Sequence, residues 1–485
     1  MNDKYRDVII GLEVHIQLTY LKTKLFCSCS TDYRGVEPNT YTCPICIGLP
    51  GSLPVMNKKA IEFATRLALA LDCKINNSFW FFRKNYFYPD LPKGFQISQY
   101  NKAGGKAFAD GGKITIKLNS HKREIILNRI HLEEDPARLV HQGTIATSPY
   151  TLVDYNRSGV TLIEIVSEPV ISSPEEAREY LKQLKSIVQY CGISNLDLEG
   201  SVRVDANISL KGHARSEVKN INSFKEVERA LKWEIQRQKN QLKRGKELIQ
   251  ETRHWDDKRR ITISLRTKEF EKDYRYFPEQ DLVPIVIDQK FISNVKKELP
   301  EMPNERAKRF QKQYELSEFD SEILVVDKDI ADFFEEGIKL EKSFEADEYK
   351  LYCNWLMSDV SRWLNENNTS IKQTKLNPQH IIDLIKFIKD GKITGKIAKT
   401  FVDEMMTKGT SIPEILKNTG KKRIADKNKI TEIVKEIIKQ NSEIVEDYKK
   451  NPKALQALIG KCMQKTKGQI DPEITKEIML KYLKK

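Results

Sequence analysis

The stretch DVIIGLEVHIQL, residues 7–18, decides the fold class of the first part of the chain. It is dense in β-branched apolar residues, which predicts a buried β-strand. Glu13 and His15 interrupt the apolar run, and because they lie two residues apart they point to the same face of the strand. Ionisable groups on one face of a strand that should be apolar mark a candidate functional element.

Further strand patterns continue to about residue 295. The run KITIKL, residues 113–118, alternates with period two after the turn sequence DGG. Other strands are predicted at residues 124–132, 161–166, 201–210 and 260–265. Helical periodicity is found at residues 57–71, 174–190 and 224–242. Strands joined by short turns, with helices grouped between them, predict an α+β domain whose sheet is largely antiparallel.

After about residue 291 every periodic segment is helical. Helices are predicted at residues 305–314, 323–336, 350–365, 378–390, 430–440, 452–465 and 472–483. We therefore predict three domains: a catalytic α+β domain over residues 1–295, a helical domain over 296–410, and a basic helical tail over 411–485.

Charge is distributed unevenly along the 485 residues. The net charge is +14, and residues 361–485, with 27 lysines and arginines against 15 acids, account for +12 of it. Such asymmetry predicts a polyanion-binding appendage on a nearly neutral body. The alternative is a surface generally rich in lysine, which should affect the whole chain equally.

Several classes of protein are excluded by what the sequence lacks. No apolar run approaches the roughly 18 residues of a membrane span, and the N-terminal residues lack the apolar core of a signal peptide. We expect a cytoplasmic protein without a membrane partner. There is no Walker-type phosphate loop, no dinucleotide fingerprint and no Gly/Ser-rich amidase segment. Any ATP chemistry must therefore use another kind of site, and any amide hydrolysis must come from a partner.

Two cysteine pairs form the most specific spacing in the chain. Cys27 and Cys29 are followed by Cys43 and Cys46, with a glycine and a proline just after the second pair. Two close pairs can supply the four thiolates of a tetrahedral structural Zn²⁺. Reduced thiols or disulfides are the alternatives, and disulfides are disfavoured in a protein expected in the cytoplasm.

Carboxylates also interrupt other predicted strands. Glu164 lies within LIEIV at residues 162–166, and the strand at 124–132 ends in HLEED, residues 131–135. Carboxylates from different strands together with one histidine suit Mg²⁺ or Mn²⁺. The alternative is that each acid pairs with a nearby base, for which Arg129, Arg138 and Arg157 are the candidates.

Two further segments mix polar and aromatic residues. Residues 83–93 (RKNYFYPDLPK) combine cations with aromatic rings in a segment too proline-rich for regular structure. Arg203, Asp205 and Asn207 share one face of the strand at 201–210. That face suits a phosphate-handling cleft, although an ordinary solvated sheet face has the same pattern.

Taken together, these motifs resemble one family over essentially the whole chain. They are GLEVH at 11–15, residues 83–89, LEED at 132–135, LIEIVSEP at 162–169, RVDANIS at 203–209, DYRYFPE at 273–279 and ALIGK at 457–461. The chain is similar to GatB, the B-type subunit of the glutamyl/aspartyl-tRNA amidotransferases. No room is left between residues 288 and 299 for the inserted domain of the archaeal GatE relatives, so the B type is favoured.

The resemblance implies a function and a fold. The family converts misacylated Glu-tRNA(Gln), or Asp-tRNA(Asn), to the amide form: ATP phosphorylates the side-chain carboxylate, and ammonia that an A-type amidase subunit releases from glutamine displaces phosphate. A small C-type subunit completes the complex. The implied catalytic fold is that of glutamine synthetase and the guanidino kinases.

The resemblance also implies site residues. The catalytic group comprises Glu13, His15, Glu134 and Glu164, of which His15, Glu134 and Glu164 are Mg²⁺ ligands and Glu133 is a neighbouring candidate. Nucleotide contacts are assigned to Arg203, Asp205, Asn207 and Arg275. Lys84 and Lys93 match an ammonia passage, the four cysteines match a zinc knuckle, and Lys461, Lys465 and Lys467 would bind tRNA phosphates. The competing hypothesis is a zinc-containing protein that binds tRNA or serves as a scaffold without catalysis.

Overall fold

The computed structural model describes residues 5–118, 121–141, 148–221, 223–267, 271–419, 426–466 and 468–483. The chain divides into two compact units, residues 1–302 and 303–485. The first is α+β and the second is helical, as predicted.

The strands of the first unit are β1 (Val8–Gln17), β2 (Lys74–Ile75), β3 (Ser78–Phe79), β4 (Phe82–Asn85), β5 (Phe95–Ser98), β6 (Ala109–Asp110), β7 (Lys113–Leu118), β8 (His121–Glu134), β9 (Arg138–His141), β10 (Thr151–Asp154), β11 (Thr161–Ser167), β12 (Val202–Leu210), β13 (Ser216–Ile221), β14 (Glu251–Asp256), β15 (Ile261–Thr267), β16 (Phe277–Pro278) and β17 (Ile285–Val286). Its helices are α1 (Lys58–Ala70), α2 (Pro174–Cys191), α3 (Phe224–Lys243) and α4 (Gln289–Lys297).

A ten-stranded sheet forms the centre of this unit, in the order β15-β14-β13-β12-β1-β11-β8-β6-β2, with β7 paired to β8. The described pairs are antiparallel except for β13 with β14. The mostly antiparallel sheet predicted from the sequence is thus confirmed. The kinship with glutamine synthetase and the guanidino kinases stays a prediction.

The side chains of strand β1 show that one face of the sheet is apolar and the other ionisable. The β1 residues Ile10, Leu12, Val14 and Ile16 are fully buried in a core that also contains apolar residues of α1, α2 and α3. Successive side chains alternate across a strand. Glu13 and His15 therefore emerge on the face opposite to this core.

Helix α2 illustrates how local signals fix the helical layer. The Ser173 side chain accepts a hydrogen bond from the Glu176 backbone N–H, Pro174 occupies the first turn, and Gly192 ends the helix at φ 64°. A serine cap, a first-turn proline and a left-handed glycine are the expected start and stop signals. The helix predicted at 174–190 therefore lies where the sequence placed it.

Three smaller sheets border the large one: β9 with β10, β3 with β17, and the order β16-β4-β5. The last contains part of the segment predicted to be irregular, because Phe82–Asn85 pairs with Phe95–Ser98. The Arg83 guanidinium donates to both carboxylate oxygens of Glu279 at 2.8 Å, which ties β4 to the chain after β16. The prediction of no regular structure was wrong for β4.

The second unit contains α5 (Pro303–Tyr314), α6 (Glu318–Leu324), α7 (Lys328–Leu340), α8 (Ala346–Trp355), α9 (Ser361–Glu366), α10 (Pro378–Lys389), α11 (Gly395–Lys399), α12 (Val402–Lys408), α13 (Ile412–Thr419), α14 (Lys427–Gln440), α15 (Ser442–Lys450), α16 (Leu455–Lys465) and α17 (Pro472–Leu483). Its buried apolar residues form two clusters, one between Ala307 and Ile415 and one between Ile430 and Met479. The three-domain division at residues 295 and 410 stays a prediction.

Two predicted helices of this unit are interrupted. The helix predicted at 323–336 is split between α6 and α7, because Asp327 accepts hydrogen bonds from the backbone N–H groups of Asp329 and Ile330 and starts a new helix. The helix predicted at 350–365 contains a π-helical turn at Leu356–Val360 between α8 and α9. Neither break was predicted, since apolar periodicity continues through both.

Membrane insertion finds no support in the helices. Within the described ranges, none combines the length and the apolar character needed to cross a bilayer.

A buried ionic cluster fixes β14 and β15 to α3. The Glu234 carboxylate, which is inaccessible to solvent, accepts hydrogen bonds from Arg237 at 2.6 and 2.9 Å and from Thr262 at 2.8 Å. Arg253 lies 3.4 Å away. Burial alone would raise the pKa of Glu234, but the hydrogen bonds and the positive charge of Arg237 bring it below its usual value.

We predict that Glu234→Ala lowers the free energy of unfolding by about 3–5 kcal/mol, because removal of one partner leaves buried guanidinium groups uncompensated. The measurement is urea denaturation followed by circular dichroism. Glu124→Ala, which breaks the exposed pair with Lys113, is the control and should cost less than about 1 kcal/mol. Equal shifts in the two variants would contradict the structural role of the cluster.

Candidate functional site

Glu13, His15 and Glu164 converge on the ionisable face of the large sheet. Antiparallel pairing places His15 of β1 opposite Glu164 of β11, and Glu164 opposite His131 of β8. The His15 Nε2 atom lies 3.6 Å from Glu13 Oε1, 3.7 Å from Glu164 Oε2 and 3.5 Å from Glu133 Oε1. The sheet register therefore assembles residues up to 151 positions apart in the chain.

The electrostatics of this group are dominated by neighbouring carboxylates. Burial and the charge of Glu164 raise the pKa of Glu13 to about 7. Burial alone would lower the pKa of His15, but the hydrogen bond to Glu164 and the charges of Glu133 and Glu13 raise it to about 9. In the absence of a cation, His15 therefore carries a proton at neutral pH.

Neighbouring side chains fix the orientation of these acids. Glu164 Oε1 lies 3.3 Å from Arg129 Nη2 and 3.4 Å from His131 Nδ1, so the pairing with Arg129 considered from the sequence does occur. Ser98 donates to the other oxygen of Glu133 at 2.8 Å. Burial alone would raise the pKa of Glu164, but the hydrogen bonds from His131 and His15 hold it well below its usual value.

The donor set fits a divalent cation. One ligand atom each from Glu13, His15 and Glu164 can be chosen so that all lie within 4.8 Å of one another. Carboxylate oxygens with open positions for water or substrate are typical of Mg²⁺ and Mn²⁺ sites. Arg129 reaches Glu164 alone of the three clustered acids, whereas His15 lies within 4 Å of all three. Pairing with arginine therefore does not account for the arrangement.

Glu134 lies outside this group. Its carboxylate accepts hydrogen bonds from Lys93 Nζ at 2.5 and 2.6 Å and from the Ile97 backbone N–H at 2.9 Å. Adjacent residues of a strand point to opposite faces, so Glu133, and not Glu134, faces His15. The geometry does not support Glu134 as a metal ligand alongside His15 and Glu164.

Glu13 and Glu164, two of the carboxylates beside His15, line a cleft of about 620 Å³. Lys84 lines it, with Nζ 5.0 Å from the ring centre of Tyr274 and 5.7 Å from that of Tyr86. Tyr276 stacks on Tyr100 with ring centres 4.2 Å apart. One wall of the cleft is therefore cationic and aromatic. Of residues 83–93 it contains only Lys84, and its tyrosines come from other segments.

Of the four residues predicted to contact the nucleotide, only Asn207 lines the cleft. Its Oδ1 atom is buried with no hydrogen-bond partner among the described residues. Arg203 is held by two hydrogen bonds to Asp135, at 2.7 and 2.8 Å. Asp205 pairs with Lys219 at 3.2 Å. Arg275 is exposed and is not among the cleft-lining residues, although its neighbours Tyr274 and Tyr276 are.

Sequence reasoning missed the cationic residues of β13 and the turn before it. Arg215, Glu217 and Lys219 line the cleft at period-two spacing. Gln250 and Thr252 line it from the neighbouring β14 side. The alternation in residues 215–219 was the available signal, but it was obscured because the strand is short and follows a turn.

The four cysteines form a second group. One Sγ atom from each of Cys27, Cys29, Cys43 and Cys46 lies within 4.8 Å of the others, and all four are free of disulfides. The hydrogen bond from Cys27, together with the charge of Lys24, lowers the pKa of Cys46 to about 4. Four convergent thiols fit tetrahedral Zn²⁺, and the disulfide alternative is not realised.

Lys24 is a completely buried cation beside this group. Its Nζ atom donates to the Tyr41 carbonyl at 2.7 Å and to Cys46 Sγ at 3.6 Å. A buried ammonium would offset part of the negative charge of four thiolates around a divalent ion.

In the tail, the predicted tRNA contacts differ in their surroundings. Lys461 is exposed on α16, whereas Lys465 pairs with Glu436 of α14. Lys467 lies outside the described residues. The helix-face argument for Lys461 stays a prediction.

Comparison with known proteins places the chain in a family. A family model described as the GatB/GatE catalytic domain matches residues 8–293, and one described as a GatB domain matches residues 332–483. The chain belongs to the GatB family. It is 46% identical over 477 residues to the B subunit of the aspartyl/glutamyl-tRNA(Asn/Gln) amidotransferase of Sulfurisphaera tokodaii, covering 98% of this chain and 99% of that protein.

A second relative gives the same result. The B subunit of the aspartyl/glutamyl-tRNA(Asn/Gln) amidotransferase of Thermotoga maritima is 47% identical over 489 residues, with 99% of each chain covered. The GatB resemblance inferred from the motifs is therefore confirmed, and it extends over both compact units.

We predict that the affinity of the Glu13–His15–Glu164 group for Mg²⁺ or Mn²⁺ rises from about pH 6 to about pH 9, because the ion must displace protons from His15 and Glu13. Calorimetric titration at one pH, in buffers of different ionisation enthalpy, should detect the released protons. His15→Gln should remove the upper part of this dependence. A flat profile in the unchanged chain would contradict the assignment.

We also predict that Glu134→Gln leaves divalent-ion affinity close to that of the unchanged chain, because its carboxylate is engaged by Lys93. Glu164→Gln should lower the affinity at least about tenfold. Both substitutions remove one buried carboxylate charge, so the pair is matched. If Glu134→Gln lowered divalent-ion affinity more than Glu164→Gln does, Glu134 would have to be a ligand after all.

Proposed function

We propose that this chain is the tRNA-binding, ATP-dependent component of an amidotransferase. It converts misacylated Glu-tRNA(Gln), Asp-tRNA(Asn) or both to the amide form. Its partners are an A-type amidase subunit, which supplies ammonia from glutamine, and a small C-type subunit. Family membership supports the overall activity, and the Glu13–His15–Glu164 group in the cleft supports a catalytic role for this chain.

The chemistry requires activation of a carboxylate. Oxide is a poor leaving group, so ammonia cannot form the amide until the carboxylate has become an acyl phosphate. The carboxylate oxygen attacks the γ-phosphorus of ATP, ADP leaves with the electron pair of the broken bond, and all reacting groups are anionic. Glu13, His15 and Glu164 would hold a divalent cation, whose positive charge would reduce this repulsion.

We place the triphosphate on the β12–β14 side of the cleft. Arg215 provides positive charge there, and Asn207 and Thr252 provide polar groups. Lys219 also lines this side, where it pairs with Asp205 at 3.2 Å and with Glu217 at 3.5 Å. Burial alone would lower the pKa of Lys219, but Asp205, Glu217 and Glu13 raise it, so the ammonium stays charged. Arg203 acts indirectly in this proposal, since it is bound to Asp135.

The aminoacyl group enters from the opposite side, lined by Lys84, Tyr274 and Tyr276. Burial alone would lower the pKa of Lys84, yet nearby tyrosine hydroxyls and Glu133 raise it well above its usual value. Lys84 is therefore charged and suited to hold the side-chain carboxylate beside the metal group.

The second half-reaction uses the neighbouring pair of Lys93 and Glu134. Ammonia forms the C–N bond as the bond between carbon and the phosphate oxygen breaks, and phosphate leaves with that electron pair. The nitrogen then loses a proton, which the departing phosphate accepts. Lys93 and Glu134 do not line the cleft, and we assign them to the passage that delivers ammonia to it. Lys93 holds the Glu134 carboxylate next to Glu133.

The remaining elements serve binding and stability. We propose that Zn²⁺ on the four cysteines stabilises the loop at 27–46, and that the basic tail, including Lys461, Lys465 and Lys467, contacts tRNA phosphates. A zinc-containing tRNA-binding protein without catalysis remains the rival hypothesis. It does not require an acidic group inside a cleft.

We predict that Glu164→Gln, in the assembled enzyme, lowers ADP formation stimulated by misacylated tRNA at least about 10²-fold, because the metal group loses one of its carboxylates. Binding of tRNA, measured by filter retention, should persist. Glu168→Gln is the control, since that carboxylate accepts a hydrogen bond from Asn128 and is not among the cleft-lining residues. Absence of stimulated ADP formation in the unchanged complex would favour the rival hypothesis.

A further inference from the structure

Gly48, two residues after Cys46, lies against the side chain of Lys93. The φ angle of Gly48 is +72°, and a Cβ atom built on it would meet Lys93 Cγ at 2.2 Å, Cβ at 3.1 Å and Cα at 3.2 Å. Contacts below 3.0 Å are not tolerated by real side chains. A side chain at position 48 would therefore be strained by the backbone angle and would force Lys93 to move.

Lys93 itself is closely confined. Its side chain is only 10% exposed and that of Glu134 5%, and the two are paired at 2.5 Å. Gly159 lies between Cys46 and Glu134, because a Cβ atom built there would be at ordinary contact distance from both, 3.4 Å from Cys46 Cβ and 3.8 Å from Glu134 Oε2. The four-cysteine loop, here residues 27–51, thus meets Lys93 directly through Gly48 and adjoins Glu134 across Gly159.

The Lys93–Glu134 pair lies between the four-cysteine group and the Glu13–His15–Glu164 group. On one side, Cys46 belongs to the four-cysteine group, and its carbonyl accepts a hydrogen bond from Ser158 at 3.0 Å. On the other side, Glu134 adjoins Glu133, which faces His15 at 3.5 Å. The loop can therefore fix the pair without touching the Glu13–His15–Glu164 group.

We propose that Gly48 is a positioning residue through which the four-cysteine loop holds Lys93 on Glu134. The loop then controls amide formation more than phosphoryl transfer. The consequence for amide formation rests on the proposed function, whereas the positional claim does not. A bulkier residue at 48 displaces Lys93 and leaves Glu134 without its partner.

The chain provides a matched control in the same loop. Gly51 has a similar φ of +81°, and a Cβ atom built there has nothing within 4 Å. Gly48→Ala and Gly51→Ala therefore impose the same type of backbone strain, but only the first meets Lys93. Any difference in behaviour between the two variants is therefore due to the contact with Lys93.

The first test is reductive methylation of the full-length chain, with the modification of Lys93 followed by mass spectrometry. In Gly48→Ala we expect Lys93 to react about tenfold faster, which corresponds to about 1.4 kcal/mol of lost protection. In Gly51→Ala the rate should match that of the unchanged chain. Equal rates in the two variants would overturn the proposal.

A second measurement remains decisive if Gly48→Ala folds poorly. Lys93→Ala removes the Cγ atom that the new methyl group would meet, so Gly48→Ala should lower the thermal unfolding midpoint less in that background than alone. Gly51→Ala should lower it equally in both backgrounds. Additive behaviour of Gly48→Ala with Lys93→Ala would overturn the proposal.

The catalytic consequence is measured as amide formed per ADP released in the assembled amidotransferase. Gly48→Ala should lower this ratio, and Gly51→Ala should leave it unchanged; a merely structural defect would lower both products together. If Lys93 becomes reactive in Gly48→Ala while the ratio stays unchanged, the positional claim is supported and the proposed role of the Lys93–Glu134 pair is wrong.

Discussion

Like-charged carboxylates held on one face of an antiparallel sheet are the constraint on which this structure depends. Glu13, Glu133 and Glu164 all lie within 4 Å of the His15 imidazole. Such a group is costly to bury, because burial and mutual repulsion both disfavour the charged form. A sheet can maintain it because ladder hydrogen bonds on both sides of β1 fix the register. A divalent cation would relieve the repulsion, so the repulsion among these carboxylates supports the proposed metal site.

The surrounding cleft separates two chemical environments across this group. One side is formed by β13 and β14 and carries Lys219 and Arg215. The other is formed by aromatic residues around Lys84. In the proposed reaction between two anions, such a division would let each reactant be neutralised by its own cations before the two meet.

Buried ion pairs elsewhere in the first unit support the site. Arg203 is bound to Asp135, and Glu234 holds β14, which pairs with β13, the strand of Lys219. Lys93 holds Glu134 just beyond Glu133. Each of these charged side chains is committed to an oppositely charged neighbour. The contribution of each pair is therefore to hold neighbouring residues in place, and its substitution should change the geometry of the site first.

The sequence by itself determined the fold class, the family and the core of the candidate site. Period-two spacing placed Glu13 and His15 on one face, an acid within an apolar strand identified Glu164, and paired cysteines identified the second group. These signals are local, since they depend on residue spacing along one strand or loop. Only the tertiary structure decided which of the adjacent Glu133 and Glu134 faces His15, because the choice depends on how β8 pairs with β11.

Long-range pairing decided the remaining assignments. Arg203 is committed to Asp135, 68 residues away, and Lys93 to Glu134, 41 residues away, and no local pattern contains such a distance. The sequence also could not show that Gly48 approaches Lys93, since that contact arises where a loop meets a hairpin. Spacing along the chain fixes which face a side chain occupies, and only the packing of strands and loops fixes which group it meets there.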